Sequence, residues 1–138
     1  MDSWAKECFL FEGLKKLRLL KICGLTTILL VVIIVLITLT PIKMHGPFDF
    51  PGVDKIFHFV SFFCLTLPLS IVGRKWAIWT FLIVMIFGGF IELAQQLSGR
   101  IASWADFLAN GIGATIGATI AYKFRHWLNG SDDINRDY

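Results

Sequence analysis

Glu92, Asp106 and His58 are the side chains of this sequence best suited to move a proton or to hold the polar part of a ligand, and each lies in or beside apolar sequence. Glu92 stands among Phe90, Ile91 and Leu93, too far inside its segment to serve as a helix cap. An unpaired carboxylate in hydrocarbon is costly, so a residue of this kind marks a functional site by default. The stretch from Gly88 to Gly113 adds Gln95, Gln96, Arg100, Ser103 and Asn110, while Asp54 and Lys55 stand about one turn before His58. A carboxylate and an imidazole within reach of each other can act as general acid and base; if the chain is an enzyme, those roles fall to Glu92, Asp106 and His58. The wider set of Asp54, Lys55, His58, Glu92, Gln96, Arg100, Asp106 and Asn110 can equally hydrogen-bond a ligand without chemistry. There is no Gly-rich phosphate loop, no Gly-x-Ser-x-Gly and no His-Glu-x-x-His, and no nucleophile is set beside a base. One histidine with two or three carboxylates makes at most a weak oxygen-rich metal site, and nothing in the spacing asks for one. No metal and no cofactor is expected.

Taken singly, most of these residues have simpler explanations. Asp54 and Asp106 can cap helices, Lys55 and Arg100 can snorkel to headgroups, and His58 can be a satisfied interfacial histidine. A purely structural network, with Arg100 tying Glu92 to Asp106, also fits. What favours a site is that groups distant in sequence fall at one depth once the helices are laid out.

The chain that must position them has 138 residues, 56% hydrophobic and 17% charged, with a mean hydropathy of +0.69. That is too little polar material to coat a soluble globule, so the chain belongs in a bilayer. Its length allows one domain. Cys8, Cys23 and Cys64 lie far apart, without metal-ligand spacing, and imply neither a disulfide nor zinc. The net charge of +3 is carried by basic residues at the ends of apolar runs, as in topology signals, which argues against a nucleic-acid partner.

The pattern predicts an all-α integral membrane protein, a four-helix transmembrane bundle with a short amphipathic N-terminal segment. Residues 1–21 interleave Lys6, Lys15, Lys16, Arg18 and Lys21 with apolar side chains, as suits a short helix in the headgroup layer or a frayed lead-in. The domain proper covers 22–122, with spans at about 22–40, 54–72, 76–97 and 103–122, followed by a polar tail at 123–138 expected to be disordered from Asn129 on. Asp54 is expected to cap the second helix and Pro68 to kink it. Ser103 and Asp106 match a capping box for the fourth. Along the third, Gly88, Glu92 and Gln96 recur every fourth residue; along the fourth, Ala105, Ala109, Gly113, Gly117 and Ala121 form a small stripe beside Asp106 and Asn110. Small residues let helices approach closely, so Gly88, Ala109, Gly113 and Gly117 are expected at helix contacts. That stripe also allows a homo-oligomer, though internal packing explains it equally.

Orientation follows from Lys and Arg. Lys6, Lys15, Lys16, Arg18, Lys21, Arg74, Lys75, Lys123, Arg125 and Arg136 lie on one side, against Lys43, Lys55 and Arg100 on the other. The positive-inside rule then puts both termini in the cytoplasm and every intramembrane ionisable group in the outer half.

The ordered set Asp54-Lys55-x-x-His58-Phe-x-x-Phe, Glu92-x-x-x-Gln96, Arg100 and Asp106-x-x-x-Asn110-x-x-Gly113 resembles the VanZ-like family over roughly residues 40 to 122. That family takes its name from an accessory protein of glycopeptide-resistance clusters. The resemblance implies a bacterial plasma-membrane protein and an association with lowered susceptibility to teicoplanin. Two functions follow. One is a non-catalytic protein whose outward polar site binds an envelope lipid, a cell-wall intermediate or a lipoglycopeptide, or alters its presentation. The other is a small membrane-embedded acid/base enzyme on a lipid-linked envelope substrate.

Overall fold

A computed structural model describes residues 3–39, 52–97 and 103–134. These form four helices, α1 (Ser3–Leu39), α2 (Val53–Ser70), α3 (Arg74–Leu97) and α4 (Trp104–Ile134), and no strand occurs among the described residues. The all-helical expectation holds. Among the described residues, Gly13–Thr38 within α1, α2 and α3 are long and apolar enough to cross a membrane. Their outward faces carry Leu25, Ile28, Leu36, Ile83, Ile86 and Phe90, all more than half exposed. In water such a surface would be an aggregation liability, and in lipid it is simply the solvated face.

Several boundaries differ from those the pattern suggests. The basic lead-in and the first apolar run form one unbroken helix, since no Pro or Gly pair interrupts them. At its other end the chain continues as helix past Tyr122 to Ile134, with Lys123, Arg125 and Leu128 the good helix formers of its continuation. Asp54 does not cap α2. That place is taken by Gly52, whose left-handed φ of 98° suits a residue without Cβ, and Asp54 falls in the first turn, where a carboxylate still complements the helix dipole. Pro68 lies in the last turn of α2.

Three sets of contacts give the helix directions. A Cβ on Gly113 would stand 2.3 Å from the Phe59 carbonyl oxygen, and one on Gly117 would stand 2.6 Å from that of Phe63. Further along, Arg125 hydrogen-bonds the Ile71 and Val72 carbonyls. The constant offset makes α2 and α4 parallel and in register, with backbones touching through the two glycines. α4, which carries Asp106 and more small residues, therefore shares the depth of α2. α3 runs opposite to both: Gly88 lies against Phe62, Gly89 against Phe107, and Gly111 against Met85. α1 packs on α2 and α3, and among the described residues its buried side chains are Cys23 and Ile34. The core is Ile34, Phe62, Leu65, Val84 and Ala114. Because lipid is as apolar as these side chains, close packing rather than water exclusion holds them together.

Candidate functional site

Where α2 and α4 begin and α3 ends, four buried polar side chains converge. His58 and Asn110 come from helices in register, so the imidazole meets the amide across the seam: Nδ1 lies 3.0 Å from Asn110 Oδ1. Because an amide oxygen only accepts, the Nδ1–H donates in this contact. Glu92 is carried to the same level by the antiparallel α3, with Oε1 3.7 Å from His58 Nδ1. Asp106, one turn before Asn110, places Oδ2 4.0 Å from His58 Nε2. Both separations exceed a hydrogen bond, so the imidazole lies between two carboxylates without closing on either.

Of the two carboxylates, Glu92 is anchored by its other oxygen. Glu92 Oε2 accepts the backbone N–H of Ser103 at 3.3 Å. In a closed capping box that N–H goes to the side chain three residues on; here α3 supplies the acceptor, which corrects the expected Ser103–Asp106 box and frees Asp106 to turn inward. The Ser103 carbonyl still starts α4 by accepting from the N–H groups of Asp106 and Phe107. Asp106 Oδ1 lies 3.7 Å from Lys55 Nζ, whose side chain is half exposed and forms the open edge of the cluster. His58, Glu92, Asp106 and Asn110 are all more than nine-tenths buried. Glu92 Oε1, Asp106 Oδ1, Asn110 Nδ2 and the nearby Gln95 Nε2 are buried without a hydrogen-bond partner. Unpaired donors and acceptors in one place are what a polar ligand needs.

Of the residues picked from the sequence, the structure brings together Lys55, His58, Glu92, Asp106 and Asn110. Asp54 is exposed at the first turn of α2. Gln96 is exposed too, and Gln95 is the buried amide. A strict four-residue step drifts about 40° around a helix, so the stripe Gly88, Glu92, Gln96 leaves the packed face by its third member. Mixed steps of three and four, as in the buried Ala77, Thr80, Val84, Gly88, Ile91 and Gln95, stay on that face, and following those mixed steps was the signal that could have found Gln95. Arg100 lies outside the described residues, as does any bridge it makes. Among the packing positions, Gly113 and Gly117 meet backbone, Gly88 meets Phe62 and Asn110, and Ala109 is half-buried. The Ser103 backbone N–H was not foreseen as a partner of Glu92, because no spacing rule links them.

As it stands, the cluster can hydrogen-bond or charge-pair a ligand, and its imidazole can pass a proton to a carboxylate. Comparison with curated proteins and with solved structures finds no match. The profile of the VanZ/LLP1 family does match, over residues 12–126, a span that takes in every member of the cluster, and the chain belongs to that family.

Proposed function

We propose that this is a non-catalytic bacterial plasma-membrane protein whose polar cluster, facing outward with both termini in the cytoplasm, binds the polar part of an envelope lipid, a cell-wall intermediate or a lipoglycopeptide. One observation carries the reading: buried donors and acceptors without hydrogen bonds at one end of an otherwise apolar bundle, opening past the half-exposed Lys55. A shallow apolar face of α4 beside Phe81 of α3, formed by Leu108, Gly111, Ile112, Thr115 and Ile116, starts at the level of the cluster and can lie against an acyl chain. A lipid-tailed ligand with a polar head uses both features.

The enzyme reading has its own support in the imidazole set between two carboxylates. The two separate on Glu92→Gln, which keeps shape and removes charge: an enzyme loses its activity outright, whereas a binding site keeps part of it. The test is teicoplanin susceptibility, with vancomycin as control, in one sensitive strain carrying the wild type, Glu92→Gln or an empty vector at matched membrane levels. Selective protection by the wild type that Glu92→Gln weakens is the expected outcome. Wild-type protection no better than the empty vector removes the lipoglycopeptide from the ligand list.

A further inference from the structure

We propose that His58, Glu92 and Asp106 form a binding site for one divalent first-row cation, with Zn²⁺ and Mn²⁺ the best matched. The three residues come from three helices, and one donor atom from each lies within 4.8 Å of the other two. Ligand atoms held at about 2.0–2.2 Å from a shared ion stand roughly 3.3–3.6 Å apart in tetrahedral geometry, so closing the site at Nε2, which Asp106 Oδ2 already faces, brings Glu92 Oε1 round from beside Nδ1. Nothing in the chain spacing announces it.

Three independent features point to an ion rather than to a finished ion-pair network. The separations of 3.7 and 4.0 Å leave the imidazole unbonded to either carboxylate, although all three groups are buried. A desolvated network that had only to satisfy itself would have closed to hydrogen-bond distance. Next, Glu92 Oε1, on a side chain more than nine-tenths buried, is aimed into the cluster with no hydrogen-bond partner. The outer contacts also have the arrangement that orients metal ligands. Asn110 Oδ1 holds the Nδ1–H and leaves Nε2 free, Ser103 N–H holds Glu92 Oε2, and Lys55 faces Asp106 Oδ1.

Charge and donor type narrow the ion. Two carboxylates against one half-exposed ammonium leave a net negative charge, which favours a bound cation. One imidazole nitrogen with two carboxylate oxygens favours Zn²⁺ or Mn²⁺ over Mg²⁺ and Ca²⁺, which prefer all-oxygen sites. Three protein ligands leave at least one coordination position open. The opposing account protonates His58, so that it and Lys55 balance Glu92 and Asp106 with no ion; that account gives no stoichiometric metal. The inference does not rest on the ligand proposed above, since the readout is the metal alone.

The test uses the full chain in detergent, stripped with a chelator and dialysed against Zn²⁺, with Mn²⁺ in parallel and Mg²⁺ as control. Metal per chain is measured by mass spectrometry. One Zn²⁺ or Mn²⁺ per wild-type chain is expected, falling to background in Glu92→Gln and Asp106→Asn. Asn110→Ala should weaken affinity about 10–100-fold, as loss of an orienting partner does. His126→Ala, an exposed histidine on α4, should bind as the wild type does. Co²⁺ added to the wild type should give the visible absorption of a nitrogen- and oxygen-ligated ion, a readout that needs no variant to fold. A wild type that binds neither metal, or a Glu92→Gln protein that binds as much as the wild type, overturns the site.

Discussion

At one end of the α2–α4 seam, Arg125 lies against the carbonyls of Ile71 and Val72; at the other, His58 lies between Glu92 and Asp106. The Arg125 end uses charge to finish the backbone. Carbonyls at the end of α2 have no helical partner, and a guanidinium from the parallel helix supplies the donor and complements the helix dipole. At the His58 end the N-terminal N–H groups need acceptors, yet of the two buried carboxylates Glu92 gives one oxygen to Ser103, and Asp106 turns toward His58 and Lys55. The difference separates charge that completes a fold from charge held in reserve. The two ends sit on the same pair of helices, so composition does not explain it.

The comparison breaks most completely where both ends depend on one contact. Gly113→Val places a Cβ against the Phe59 carbonyl, where backbone cannot yield, and should cost about 3 kcal/mol or more, with both ends lost together. Thermal unfolding in detergent reads this, with Gly111→Ala as partner, since its Cβ meets only the movable end of Met85 and should cost less than about 1 kcal/mol. Equal melting of Gly113→Val and wild type would mean that the seam is not glycine-mediated. Next in size is the contrast between Arg125→Met and Glu92→Gln. The first removes a charged donor from two carbonyls and should cost about 1.5–3 kcal/mol while leaving ligand or metal binding unchanged. The second should change stability by less than about 1 kcal/mol and weaken binding, because it removes a charge that packing does not need. A reversal of that pattern would exchange the roles of the two ends.

Smaller effects sharpen the picture. Gln95→Leu should alter binding at the cluster, whereas Gln96→Leu, exposed on α3, should shift stability by no more than about 0.5 kcal/mol and leave binding intact. Ser70 and Thr80 lie toward the Arg125 end, buried and with no hydrogen-bond partner for their hydroxyls. Ser70→Ala and Thr80→Val should each be neutral or stabilising by up to about 1 kcal/mol in unfolding experiments, since an unpaired buried hydroxyl gains nothing from its polarity. A loss of binding in either variant would extend the site along the bundle.

The sequence by itself determined the solvent, the helices and the family. Long apolar runs with few charges admit only helices in lipid, where each backbone group must be paired within its own segment, and Glu92, His58 and Asp106 stood out because charge in such runs is expensive. It also marked Gly113 and Gly117 as contact positions, since small residues at four-residue spacing make one smooth face. Tertiary structure alone decided the rest. Which glutamine is buried depended on how α3 rotates against its neighbours, and the partner of the Ser103 N–H depended on α3 ending beside the start of α4. The triangle of His58, Glu92 and Asp106 is assembled by the register of α2 with α4 and the reversal of α3 between them. Spacing rules act within one helix, a few residues at a time, whereas distances between side chains on three helices are set by packing over the whole bundle.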